Sequence, residues 1–197
     1  MLDAIDVIPT NVLILPGWLN SDDAHWQTRW ERLYGYQRVA QQDWRNPGRE
    51  QWLAALEQAI AGRDARCVLV AHSLGCLLAA HWAAGSPLAS RVRGALLVAP
   101  PDVTHANAPQ ELHGFRPIPH NKLPFPSIAV ISSNDSYAGL AWSQALARDW
   151  DARCVEIGAR GHINGESGLG DWPEGHALIQ PWLAQGNRAM TSLLPVS

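Results

Sequence analysis

The 197-residue chain has few cysteines, no basic cluster and no long apolar run, and each shortage removes a class of protein. Three cysteines, Cys67, Cys76 and Cys154, cannot all pair, and none stands in a CxxC or CxxH spacing. Neither a disulfide framework nor a cysteine-based metal site is expected, and each thiol, alone in an apolar segment, reads as buried. Lys and Arg number 15 against 18 Asp and Glu, a net charge of −3, so nothing draws the chain to nucleic acid or to an anionic membrane surface. No apolar stretch approaches the roughly 20 residues of a membrane span. The opening residues Met1-Leu2-Asp3-Ala4-Ile5-Asp6 carry acids where a secretory signal carries positive charge. A soluble, cytoplasmic protein is the expectation. No internal repeat is found.

What is present is a globular balance, 47% hydrophobic and 17% charged residues, in a length that suits one domain over residues 1–197. Ten tryptophans are unusual for this length, and several recur at near-helical spacing, as Trp26 and Trp30 do. They read as anchors of amphipathic helices. Six short apolar runs, at residues 11–15, 37–40, 66–71, 94–99, 127–132 and 153–157, alternate with amphipathic stretches at 24–33, 48–61, 74–84, 137–150 and 173–185. That alternation predicts an α/β fold, a mostly parallel sheet of about six strands with helices on both faces. Asp22 or Asp23 is placed to cap the first helix, and Pro173 suits the first turn of the last. Residues 100–126 break the rhythm with seven prolines and three histidines, and are expected to form a surface excursion over the site. Residues 186–197 are expected to be a frayed end.

The segment Val70-Ala71-His72-Ser73-Leu74-Gly75-Cys76 joins a buried-strand pattern to a helix rich in small residues. That is the setting of a nucleophile elbow, whose sharp turn tolerates only small residues two before and two after the serine. Ala71 and Gly75 meet the demand. The alternative is a plain N-cap serine. A serine hydroxyl needs a base, and the base an orienting acid; on this fold they follow in the order Ser, acid, His, each after a later strand. Asp135 lies just past the fifth strand and His162 just past the sixth, between glycines on a loop able to return the imidazole to Ser73. Asp102, after the fourth strand, is an alternative acid, and His176, inside the last helix, an alternative base. An oxyanion needs two backbone N–H donors, here Leu74 after the serine and Trp18 on the loop Leu15-Pro16-Gly17-Trp18 after the first strand.

With Pro16-Gly17, Ser21, His25-Trp26, the Ser73 elbow, Asp135 and the stretch from Gly161-His162 to Trp172-Pro173 in hand, the chain resembles the small serine hydrolases of the retinoblastoma-binding protein 9 and YdeN type. The likeness runs over nearly the whole length. It implies an α/β-hydrolase without a large cap domain, the triad Ser73, Asp135 and His162, and a site floor shaped by Gly17-Trp18 and His25-Trp26. Retinoblastoma binding does not carry over, because Ala152-Arg153-Cys154-Val155-Glu156 lacks the leucine of the Leu-x-Cys-x-Glu motif. The expectation is therefore a serine hydrolase of esterase or amidase type that cleaves a small ester or amide through an acyl-enzyme, with no cofactor and no metal. Two rivals are a catalytically silent interaction protein on the same fold and a nucleotide-binding protein resting on Gly165, Gly168 and Gly170, whose spacing and position are wrong for that role.

Overall fold

A computed structural model of the chain describes residues 11–191, with side chains described through residue 185. The N-terminal acids and residues 192–197 lie outside the described residues. Six strands form one sheet: β1 (Val12–Leu15), β2 (Gln37–Arg38), β3 (Cys67–His72), β4 (Val92–Val98), β5 (Ser127–Ile131) and β6 (Arg153–Glu156). Their order is β2-β1-β3-β4-β5-β6, every neighbouring pair is parallel, and no large cap domain is built onto the sheet among the described residues. The helices are α1 (Trp26–Tyr34), α2 (Arg49–Ala61), α3 (Leu74–Gly85), α4 (Leu140–Asp149), α5 (Pro173–Ala177) and α6 (Gln180–Thr191).

Two-sided burial explains why the central strands read as continuous apolar runs. Along β3, Cys67, Leu69 and Ala71 join the cluster packed against α2, α3 and α4, while Val68 and Val70 join the cluster with Trp26 and Trp30 of α1 and Trp182 of α6. The paired tryptophans are helix anchors, as their spacing predicts. The strand order reverses between β1 and β3. In open parallel sheets that crevice, beyond the carboxyl ends of the strands, is where ligands bind.

Several expectations need correction. The first helix is capped by His25, whose Nδ1 accepts from the Gln27 N–H. Asp22 instead accepts from the N–H groups of Ala24 and His25, so an aspartate turn uses up that carboxylate before the helix begins. Cys154 is exposed, because β6 is an edge strand covered only in part; Cys67 and Cys76 are buried. The last helical stretch is two helices broken at residues 178–179, since Pro181 has no N–H and its ring excludes an unbroken helix through it. Helix α6 then continues to Thr191, where a frayed end was expected. Residues 100–126 run mostly over the surface, as expected, but are anchored in the core by a set of apolar side chains. Val103, Leu112, Phe115, Ile118, Leu123 and Phe125 are buried in the cluster with α2 and α3, and the Phe115 ring meets Trp52 edge-on at 5.8 Å.

Close approach decides two glycines in opposite directions. A Cβ on Gly75 would lie 2.2 Å from the Leu15 carbonyl oxygen, whereas nothing lies within 4 Å of one on Gly85. Gly75→Ala should therefore destabilise the fold by about 2 kcal/mol through forced main-chain movement, lowering the thermal midpoint by roughly 4–8 °C. Gly85→Ala should raise stability by up to about 1 kcal/mol. Thermal unfolding followed by circular dichroism measures both, and equal effects of the two would contradict the packing described.

Candidate active site

Strand β3 ends in His72, and Ser73 follows with φ 52° and ψ −124° before α3 begins. A non-glycine residue in that conformation is strained, and the strain is affordable only where neighbours leave no alternative. The contact of Gly75 with the end of β1 lets α3 start at once. The β1 loop closes in from the other side, since a Cβ on Gly17 would lie 2.7 Å from the Ser73 Cβ and 3.1 Å from its Oγ.

The structure brings together Ser73, His162 and Asp135. Ser73 Oγ lies 2.8 Å from His162 Nε2, and His162 Nδ1 lies 2.9 Å from both carboxylate oxygens of Asp135. A carboxylate only accepts, so Nδ1 carries the proton and Nε2 is left to accept from the serine hydroxyl. The site is enclosed. Ser73 is 8% exposed, and the His162 and Asp135 side chains 10% and 3%. Asp135 Oδ1 also accepts from the Tyr137 N–H at 2.9 Å. Asp102 is elsewhere, accepting from the N–H and hydroxyl of Thr104. His176 is elsewhere too, with Nε2 2.6 Å from Tyr36 Oη and Nδ1 accepting from Gln180. The Leu74 N–H, first in α3, has no intrahelical acceptor by its position. Among the described residues no group accepts from the Trp18 N–H, and the side chain of Trp18 donates to the Arg45 carbonyl.

Residues not singled out as site residues from the sequence hold the loops in place. Asn134 Oδ1 accepts from the Gly161 N–H at 2.7 Å and Ser132 Oγ accepts from the Arg160 N–H at 2.9 Å, which stitches the loop after β5 to the loop after β6. His72 Nε2 donates to the His162 carbonyl at 2.9 Å, and Trp26 Nε1 donates to the Ile163 carbonyl at 2.8 Å. The ring of His72 in turn lies edge-on to that of His25, 4.6 Å away. Of these, only the His25-Trp26 pair was visible beforehand, through the family resemblance; the others are common polar residues whose roles depend on which loops the sheet brings side by side.

The two inner histidines are uncharged. Burial, assisted by the Arg38 guanidinium and by the neighbouring ring of His162, pushes the His25 imidazole down to about 3, and burial holds that of His72 well below its ordinary value. Neutral imidazoles behind His162 add no positive charge to compete with one that His162 would acquire on taking a proton. Among the described residues no cluster of metal-ligating side chains is found, and no helix is long and apolar enough to cross a membrane.

A parallel sheet with a strained serine at its switch point, a hydrogen-bonded serine–histidine–carboxylate chain beside it and no large cap defines an α/β-hydrolase. Residues 12–181 match the serine hydrolase family, so the chain belongs to that family and is a hydrolase. A YdeN-like hydrolase of Pectobacterium atrosepticum is 29% identical, with a TM-score of 0.78 over 89% of this chain and 91% of that one. The ydeN product of Bacillus subtilis superposes with a TM-score of 0.68 at 20% identity, over 89% and 99%. A thermophilic esterase of Thermogutta terrifontis does so at 0.60 and 18%, over 89% and 90%. These last two show the fold alone. The resemblance seen in the sequence is to the same YdeN-like group. No curated protein matches the chain.

The neutral histidines predict an acid-labile fold. In the unfolded chain both return to about 6.5, so below that pH the unfolded state binds more protons. Their contribution to stability is complete above pH 6.5 and is lost as the pH falls toward the folded value, by up to about 1.4 kcal/mol per pH unit for each group. His25→Asn keeps an oxygen able to cap α1 and removes one titrating group. The midpoint of this variant should fall less steeply between pH 6.5 and 4.5 than that of the wild type. Parallel slopes in thermal unfolding would refute the assignment.

Proposed function

We propose that the chain cleaves a small ester or amide through an acyl-enzyme on Ser73. The observation that carries the reading is the unbroken hydrogen-bond chain from Ser73 Oγ through His162 to Asp135. His162 Nε2 takes the hydroxyl proton as Ser73 Oγ attacks the substrate carbonyl, while Asp135 stabilises the imidazolium. The resulting oxyanion is held by the N–H groups of Trp18 and Leu74. His162 then returns the proton to the leaving oxygen or nitrogen, whose bond to carbon breaks. A water, deprotonated by the same imidazole, attacks the acyl carbon; the bond from that carbon to Oγ breaks, the imidazolium returns the proton to Oγ, and the acid leaves the free serine. Every proton in this cycle is carried by the chain's own residues, and no step calls for a metal or a cofactor.

A cavity of about 300 Å3 adjoins the triad through Tyr137, lined by Asp102, Val103, Leu112, Tyr137 and Ala138 among others but not by Ser73 or His162 themselves. Its volume lies at the low end for small-molecule sites. Tyr137 belongs to its wall and also meets the His162 ring at a centroid distance of 4.4 Å, so one substituent of the substrate extends past Tyr137 into it. The partner is thus a small molecule, with neither nucleic acid nor membrane as a ligand. Three unpaired thiols suit the reducing cytoplasm, the location we assign.

A fluorophosphonate probe should label the wild type, and Ser73→Ala should abolish both labelling and turnover. A folded wild type that stays unlabelled would leave the silent interaction protein as the reading. Asp135→Asn should lower kcat on the order of 10³–10⁴-fold, and Asp102→Asn, which alters only the cavity wall, should lower it at least a hundredfold less; the reverse order would move the acid to Asp102. Filling the cavity with Ala138→Leu should cut kcat/KM for p-nitrophenyl hexanoate about tenfold more than for the acetate, and an equal effect on both esters would exclude that cavity as the subsite.

A further inference from the structure

Gln27 is a polar residue with 0% exposure, set in the first turn of α1 inside an apolar cluster. Its side-chain amide is directed at main chain that the reaction depends on. Nε2 donates to the carbonyl of Leu15, at the end of β1, at 3.2 Å, and to the carbonyl of Val70, near the end of β3, at 3.0 Å. The amide has two N–H donors, and each is used. Its oxygen accepts from Ser21 Oγ at 2.7 Å. Ser21 lies on the loop that carries Trp18, and its own carbonyl accepts from Thr28 Oγ1 at 3.0 Å and Arg38 Nη1 at 3.1 Å.

One side chain thus ties together the two strand ends that deliver the two oxyanion donors. Leu15 is three residues before Trp18, and Val70 is three before Ser73 and four before Leu74. The loop after β1 takes a shape that needs outside support, because Leu19 and Asn20 both hold positive φ, 64° and 68°, which is costly for the leucine. A buried amide that left any of these bonds unmade would be costly, so the strand ends, the loop and the elbow have one mutually satisfied arrangement. We infer that Gln27, held by Ser21, is a positioning residue that sets the separation of the Trp18 and Leu74 N–H groups for the oxyanion. The inference rests on the acyl-enzyme reading of Ser73.

Gln27→Leu matches the side chain in size and removes all three bonds. Misplacement of reacting groups by an ångström costs up to about 100-fold in rate. With p-nitrophenyl acetate, the folded variant should lose at least about tenfold in kcat and in fluorophosphonate labelling rate, with KM within about twofold of wild type. The inhibition constant of phenylboronic acid, whose tetrahedral serine adduct places an oxygen in the same position, should weaken by a similar factor. Ser21→Ala should show the same pattern at roughly threefold, and decides the matter if Gln27→Leu fails to fold. Wild-type kcat and boronate affinity in a folded variant, or a loss confined to KM, overturns the inference while leaving Ser73 as nucleophile. An unlabelled wild type is a separate outcome, in which the reading of Ser73 fails and the inference with it.

Discussion

The strained backbone of Ser73 is the constraint around which the site is organised. A serine at φ 52° is held against a cost of the order of 1–3 kcal/mol, and that cost is met by the packing on either side of it. The five residues before it are buried strand with both faces covered, and the helix after it begins at once against the end of β1. Neither flank has freedom to relax. The Ser73 N–H donates to the Val98 carbonyl at 2.9 Å, so the turn is also bound to the neighbouring strand end. The hydroxyl therefore stands at the carboxyl edge of the sheet because the core leaves it no other position.

Around that point the electrostatics are set by burial. Two imidazoles packed behind His162 stay neutral because desolvation outweighs any gain from charging them. Their neutrality serves two ends. It keeps positive charge away from the loop that His72 braces through the His162 carbonyl, and it leaves the carboxylate of Asp135 as the nearest counterpart for whatever charge His162 acquires. The same burial makes the arrangement sensitive to acid. A site whose order depends on uncharged histidines has its full stability only where free histidine is uncharged, and loses it progressively as the pH falls below that.

How much of this was legible beforehand differs from element to element. The six apolar runs could be read because two-sided burial writes itself into consecutive positions, as in Cys67–His72. Ser73, Asp135 and His162 could be singled out because chain order alone restricts where acid and base can stand, and the structure brings those three within hydrogen-bond reach of one another. What could not be read are interactions decided by proximity in space. Asp22 looked like a helix cap, but a turn one step earlier took its carboxylate, and the cap passed to His25. Residues 100–126 looked like surface because proline marks loops, yet Leu112 and Phe115 are core; proline density reports the absence of regular hydrogen bonding and says nothing of burial. Gln27 carries no such signal in a sequence, since its two N–H groups meet carbonyls, which every residue has, and only its oxygen meets a side chain, that of Ser21.

That dependence on carbonyls separates two functions within the site. The loops bearing the reacting atoms are fixed by donors from distant side chains to main-chain acceptors: Trp26 to Ile163, His72 to His162, Gln27 to Leu15 and Val70. None of these donors belongs to the wall of the cavity, which is built from residues 101–112 and 136–139. Because the carbonyls are present whatever the local side chains, Leu112, Tyr137 and Ala138 are free to differ in size without releasing a bond that positions Ser73 or His162. On the proposed reading, positioning and substrate selection rest on separate sets of residues that meet at Tyr137, whose ring contacts that of His162 and whose N–H donates to Asp135. At Tyr137 a change in the wall would be transmitted to the base, and there a specificity change should also alter the rate of the chemical step.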